Sequence, residues 1–337
     1  MIYCAVVFDR IPGHSETIAG LRAAQDSDRV SHAWLFSGPD GVGKRNVALA
    51  FAQRLNCKHR SEQPNQDACG TCRTCRQLND GRHPDLVTLS RDGQFIKIAQ
   101  VREAMKSLRF APIDAAYRVI LIQDADRLHE AAANALLKTL EEPAPRNIFL
   151  LLTSRPAAVL ATIRSRCQQV RFRSLTRATV TEWLMSEHSL SQADAEDVAG
   201  VAGGSLTAAQ LAMDDAAVSL REEWIGYVTE LPRANPTRLL ELAERLGANK
   251  TGIPNVLDIL RLIFRDAMLR SVHVQSEKLT FRAKGEFLSH LQPTSAVSAL
   301  RYIDDADNAL HRNINPRMLA EHLIFGLRHS MRNGRYR

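Results

Sequence analysis

The stretch Gly38-Pro39-Asp40-Gly41-Val42-Gly43-Lys44 fits the pattern G-x-x-x-x-G-K. It follows the short apolar run Ala33-Trp34-Leu35-Phe36-Ser37 and precedes Val47, Leu49, Ala50, Phe51 and Leu55 at helical spacing. A strand, a glycine loop and a helix in that order commit this half of the chain to an α/β arrangement. Gly38, Gly41 and Gly43 let backbone N–H groups approach a triphosphate, and the Lys44 ammonium supplies countercharge. The next residue is Arg45, where a Ser or Thr hydroxyl normally ligates Mg²⁺. The loop therefore has the frame of a nucleotide site and lacks a ligand that hydrolysis needs.

The rest of the first half alternates in the same way. Periodicity predicts helices over 46–55, 98–108 and 130–142, the last Ala-rich and stopped by Pro143 and Pro145. Apolar runs at 85–89, 119–122 and 148–152 read as strands. Such alternation implies a parallel sheet covered on both faces. Strand signals stop near Ser174. Thr176 reads as an N-cap, a helix over 192–201 is broken by Gly203-Gly204, and long amphipathic helices follow over 255–269 and 293–310. Three segments result: an α/β P-loop domain over 1–174, a small helical domain over 175–216 and a helical C-terminal domain over 217–337.

A nucleotide-hydrolysing site of this kind also needs acids at the end of a second strand, one for the metal and one to polarise water. Here the strand at 119–122 runs into Gln123-Asp124-Ala125-Asp126. Gln123 takes the place of the first acid and carries no charge, and Asp124 takes the second but is a methylene shorter than Glu. Asp124 and Asp126 as caps of the following helix are the plainer alternative.

Cys57, Cys69, Cys72 and Cys75 form C-x₁₁-C-x₂-C-x₂-C. Thiolates two residues apart sit on tight turns and can converge on one tetrahedral ion, so the spacing points to a closed structural Zn²⁺ site. Reduced thiols, an iron–sulfur cluster and disulfides are the alternatives; a cytoplasmic setting disfavours the last. Cys4 and Cys167 stand outside the cluster as ordinary buried thiols.

The net charge of +7 favours polyanionic partners without proving one. Arg164, Arg166, Arg171, Arg173 and Arg177 crowd one segment, while Arg328, Arg332, Arg335 and Arg337 read as a solvated end. No apolar run approaches the roughly 20 residues that span a bilayer. The opening Met1-Ile2-Tyr3-Cys4-Ala5-Val6-Val7 lacks a basic start and meets Asp9 and Arg10 at once, so it does not read as a secretory signal and the expected location is the cytoplasm.

The run Ala133-Asn134-Ala135-Leu136-Leu137-Lys138-Thr139-Leu140-Glu141-Glu142-Pro143, followed by Ser165-Arg166-Cys167, resembles the clamp-loader AAA+ proteins of bacterial DNA polymerase III. The cysteine cluster after the P-loop helix and the stretch Asn313-Ile314-Asn315-Pro316-Arg317 strengthen the likeness. The resemblance implies an AAA+ P-loop domain with a parallel sheet and an inserted zinc module, then a helical lid and an all-helical collar. It implies a hetero-pentameric ring with ATPase (tau/gamma) and delta subunits that places a sliding clamp on primer-template DNA in the nucleoid-associated replisome, with no membrane.

ATPase members of that family carry an acidic pair after the second strand, a Ser or Thr after the P-loop lysine, and an arginine in a G-S-L-R stretch. Here the last reads Gly204-Ser205-Leu206-Thr207. The departures point to the non-hydrolysing type of subunit, with passive ATP or ADP binding left open. By the same resemblance Arg166 is a finger acting in trans on a neighbour's ATP site, and Thr153 and Ser154 stand where a polar sensor of phosphate lies. Glu141, Glu142 and Lys138 are either interface residues or plain helix-surface pairs. An active ATPase subunit and a zinc-dependent nucleic-acid-binding module are the competing readings.

Overall fold

The computed structural model describes residues 6–27, 30–61, 67–93, 95–108, 110–248, 252–272, 291–310 and 314–333. Cys4, Asn313, Arg335 and Arg337 lie outside them. The chain divides into two compact units, 1–183 with 204–207, and 184–203 with 208–337.

The first unit is built on five parallel strands: β1 (Ala33–Ser37), β2 (Leu86–Leu89), β3 (Arg118–Ile122), β4 (Asn147–Thr153) and β5 (Gln168–Arg171). Their order is β2-β3-β4-β1-β5. Every residue of β1, β3 and β4 is buried, as expected of strands covered on both faces. The period-2 alternation then sorts the side chains. Trp34, Phe36, Leu121 and Leu150 pack towards α1 (Ser15–Asp26) and α2 (Lys44–Asn56). Leu35, Ile120, Phe149 and Leu151 pack on the other face against α4 (Ile98–Ser107) and α5 (Glu130–Glu141), where Leu136 and Leu140 are buried. A short α3 (Arg73–Asn79) has Cys72 as its N-cap and carries Cys75 in its first turn.

Two elements carry no hydrophobic signature of their own. β5 is Gln168-Gln169-Val170-Arg171 and mostly exposed, yet it pairs with β1 with Trp34 opposite Gln168 and Phe36 opposite Val170. It is a strand because β1 offers it a free edge. Helix α1 similarly earns its place by burying Ile18 and Leu21 against α2, despite a nearly neutral composition.

At the other end of the sheet lies a buried ion pair. Arg118 and Asp85 have side chains 3% and 0% exposed, with Nη2 3.3 Å from Oδ1. Asp85 also accepts N–H bonds from Ile113, Asp114 and Ala115 at 2.8–3.0 Å. Arg118 donates to the carbonyls of Ser107, Phe110 and Ala111. Both charges are thus satisfied, and together they fix the connection from α4 to β3. Burial pushes the Asp85 carboxyl up, but those N–H donors and Arg118 outweigh it and hold it below the ordinary carboxylate range.

Helix boundaries follow local chemistry. Thr176 caps α7 (Arg177–His188) by accepting from the N–H of Thr179 at 3.1 Å. Ser191 caps α8 (Gln192–Ala202), which ends on Gly203 at φ 57°. After α9 (Leu206–Ala212) the second unit continues as α10 (Asp215–Glu230), α11 (Pro236–Ala248), α12 (Ile253–Ser271), α13 (Pro293–Leu310) and α14 (Pro316–Asn333). α11, α13 and α14 open on a proline and α12 carries Pro254 in its first turn, where a missing N–H costs nothing. Leu257, Leu260 and Ile263 of α12 are fully buried with Ile303 and Leu323, and Leu262 packs half-buried beside them. The apolar stripe of α12 is consumed within this unit.

Removing one partner of the buried pair, as in Arg118→Ala or Asp85→Asn, is expected to cost about 3–5 kcal/mol in chemical denaturation. Because the folded carboxyl titrates below its unfolded value, the pair's contribution is complete above about pH 4 and is lost as pH falls through the folded value. Asp85→Asn should therefore flatten the acid limb of the stability curve relative to wild type.

Candidate functional site

β1 delivers the glycine loop to the N-terminus of α2. Gly41 and Gly43 take φ of 74° and 100°, a region that only glycine enters cheaply. A Cβ on Gly41 would collide with the Ser205 hydroxyl, and the Gly41 carbonyl accepts from the N–H of Leu206 at 2.8 Å. The loop is tied to the sheet as well. Gly38 donates to the Thr153 carbonyl at 3.1 Å, and Phe172 donates to the Ser37 carbonyl at 2.7 Å. His14, edge-on to Phe172 at 5.0 Å, has Nε2 2.8 Å from the Val42 carbonyl. Burial lowers the His14 pKa, so the neutral ring donates there through Nε2–H.

Lys44 is 8% exposed. Its ammonium donates to the carbonyls of Gly38 and Pro39, both at 2.6 Å, and stands 3.6 Å from Asp40. Burial pushes the ammonium down, partly offset by Asp40, Asp124 and Asp126. Arg45 is exposed in the first turn of α2. It brings no oxygen ligand.

Beyond β3, Gln123 donates its N–H to the Leu89 carbonyl at 2.8 Å. Asp124 adopts φ 54°, and its carboxylate lies 3.7 Å from Arg91 Nε. It caps nothing with its side chain, so the capping alternative fails for Asp124. Asp126 is not a cap either. Its carboxylate, 4% exposed, accepts from the Thr153 hydroxyl at 2.7 Å and from Arg155 Nη2 and Nε at 2.9 and 3.1 Å. Burial raises the Asp126 carboxyl, and the Thr153 and Arg155 hydrogen bonds outweigh it, leaving it below the ordinary range. The hydroxyl at the sensor position is thus committed to a carboxylate that already has a cation. Ser154 is half-buried beside it. The Asp126–Thr153–Arg155 triad was not legible beforehand, since nothing local marks residues 27 and 29 positions apart as partners.

Arg166 follows the one-turn α6 (Ala161–Arg164). Its Nη2 donates to Glu141 Oε1 at 2.6 Å and its Nη1 to the Thr162 carbonyl at 3.0 Å. With 35% of its side chain exposed, it sits at the C-terminal end of α5, and its hydrogen-bond partners among the described residues include none from the P-loop. Next to it, burial pushes the Cys167 thiol up to about 12, so that sulfur stays protonated and inert.

The four cluster cysteines come together. Their sulfurs all lie within 4.8 Å of one another. A tetrahedral zinc with bonds of about 2.3 Å separates its sulfurs by roughly 3.8 Å, so the donor set fits that ion with little adjustment. Sulfur-directed N–H groups already orient three of them: Cys69 N–H to Cys57 at 3.4 Å, Cys72 N–H to Cys69 at 3.3 Å and Cys75 N–H to Cys72 at 3.5 Å. Burial raises the Cys69 thiol, but N–H donation from Cys72 and Thr71 overcomes this and brings it to about 6. Burial raises Cys75 strongly. Val7 and Ala68 close the cluster on its apolar side.

A family model described as DNA polymerase III, delta subunit matches residues 13–176. The DNA polymerase III subunit delta' of Bacillus subtilis is 30% identical over 310 residues, which is 90% of this chain and 92% of that protein. The DNA polymerase III subunit tau of the same organism is 35% identical over 176 residues, 51% of this chain and 30% of the relative. A solved structure of a DNA polymerase III gamma subunit-related protein from Thermotoga maritima aligns with 94% of this chain and all of its own, at 17% identity and a TM-score of 0.48.

Gly41→Ala places a side chain at positive φ against Ser205. It is expected to cost about 1–3 kcal/mol in thermal or chemical unfolding, whereas Gly81→Ala, also at positive φ but in open space, should lie at the low end of that range.

Proposed function

This chain belongs to the delta-prime family of DNA polymerase III, and from that premise we propose that it serves in the clamp loader as a subunit that does not hydrolyse ATP. The observation that carries the reading is the state of the metal-binding half of the site. Arg45 and Gln123 supply no metal-ligating hydroxyl or carboxylate, and the Thr153 hydroxyl is spent on Asp126. Any ATP or ADP accepted by Gly38, Gly41, Gly43 and Lys44 is held without turnover. The domain division that goes with the reading is P-loop domain 1–174, lid 175–216 and collar 217–337.

The positive role falls to Arg166. Within a ring of tau/gamma-type ATPase subunits and delta, its guanidinium leaves Glu141 and reaches a neighbour's ATP, offsetting charge on the transferring phosphoryl group. The ring opens a sliding clamp and sets it on primer-template DNA. Its expected location is the cytoplasm; no helix among the described residues is long and apolar enough to cross a membrane.

The second reading is an active tau/gamma-type ATPase, favoured by the intact glycine frame and Lys44. Two variants in the reconstituted complex separate them. Arg166→Ala is expected to reduce the turnover of the ATP site it faces by on the order of 10³-fold, while Lys44→Ala leaves complex ATPase nearly unchanged. The reverse pattern would establish the active-ATPase reading instead.

For the cysteine cluster the proposed ion is zinc, held by Cys57, Cys69, Cys72 and Cys75 in a closed structural site with no position open for substrate. Metal analysis of the purified chain should find a single zinc ion, and a strong chelator should lower the unfolding midpoint. Iron with visible charge-transfer absorption, or a midpoint indifferent to chelation, would count against zinc.

A further inference from the structure

Between α13 and α14 the second unit holds a cleft of about 600 Å³, within the roughly 300–1,000 Å³ of small-ligand sites. Leu319, Leu323, Ile324, Leu327 and Met331 of α14 are consumed by the core. His322, Phe325, His329 and Arg332 lie on its exposed side and line the cleft. Phe325 is 38% exposed, so core packing does not account for it. Across the cleft Tyr302 stands edge-on to His322, with centroids 5.4 Å apart. Gly326 makes this possible: a Cβ there would lie 2.6 Å from Tyr302 Cε1, so the missing side chain lets the ring rest directly on the α14 backbone. Aromatic rings thus form the floor and one wall.

The charge in the cleft is equally specific. Several arginines of this unit are neutralised: Arg261 by Asp258, Asp304 and Asp307, Arg238 by Glu230 and Glu241, Arg317 by Glu244 and Glu321. Arg328 and Arg332 have no ion pair among the described residues, and the Arg328 Nε is buried without a hydrogen-bond partner. No carboxylate lines the cleft. Aromatic faces beside unneutralised guanidiniums suit an unpaired base attached to a phosphate. A duplex keeps its base faces stacked inside and cannot use the rings. An acidic peptide satisfies the arginines and leaves the rings exposed.

From this we infer that the α13–α14 cleft is a binding site for single-stranded DNA, with a base stacked on Phe325 and Tyr302 and its phosphates on Arg328 and Arg332. The site uses neither the P-loop nor Arg166, so its fate is independent of the proposed role in ATP turnover.

The test uses the full chain and a fluorescent oligothymidine of roughly 20 nucleotides, followed by anisotropy across a salt series. Arg328→Ala with Arg332→Ala is expected to weaken binding and reduce the log–log salt slope by about 1.4, as for two lost phosphate contacts on a single strand. Phe325→Ala should weaken binding roughly 5- to 100-fold with little change in slope. Crosslinking of a bromodeoxyuridine-substituted strand to the wild-type chain, read by peptide mapping, does not depend on any variant folding and should mark α13 or α14. The inference is overturned if wild type does not bind the strand at low salt, if crosslinks fall only outside α13 and α14, or if polyglutamate displaces the strand at equal charge concentration. It is equally overturned if folded variants bind DNA as wild type does while failing to join the complex, which would make the cleft a contact for another subunit.

Discussion

A buried ammonium has to find oxygen, and in this chain Lys44 finds it in the carbonyls of its own loop. That constraint organises the P-loop unit. The loop can curl around the lysine only because Gly41 and Gly43 accept positive φ, and it can stay there only because β1, β4 and β5 bring Ser37, Thr153 and Phe172 alongside. Gly41 then passes the constraint on to Leu206 through a backbone hydrogen bond. What in an ATPase is a cradle for phosphate here also serves as a structural joint.

The loss of metal-binding groups is distributed over three elements that touch the same place. Arg45 lies in the first turn of α2, Gln123 follows β3, and Thr153 ends β4 with its hydroxyl turned to Asp126. Each alone is a modest change. Together they leave a glycine frame without the hydroxyl that would ligate Mg²⁺ and without the first of the two carboxylates, while the half-buried Arg166 sits at the C-terminal end of α5, held by a surface pair with Glu141 and by the Thr162 carbonyl. Surface pairs of that kind are worth little, about 0–1 kcal/mol, which is what the proposed role of Arg166 asks of its contact with Glu141.

Much of this was legible in the residues. The P-loop, its flanking strand and helix, the buried runs of β3 and β4, and the convergence of Cys57, Cys69, Cys72 and Cys75 are all carried by local pattern. So were the ends of α5 at its prolines and of α8 at Gly203. Other features are created by distant partners and leave no local trace. β5 exists because β1 has an open edge, and α1 because α2 needs a cover. Asp85 and Arg118 are 33 positions apart with nothing local to mark them as partners, and Asp126, for which helix capping was the plainer alternative, meets Thr153 and Arg155 instead. Arg328 and Arg332 looked like a solvated end, and the packing of α13 on α14 places them beside aromatic rings instead.

The central claim is that this subunit contributes an arginine to ATP turnover and performs none itself. Phosphate release by the isolated chain in saturating Mg²⁺-ATP tests it most directly. The account predicts release indistinguishable from the protein-free background and unchanged by Lys44→Ala. Sustained release that Lys44→Ala abolishes would contradict it.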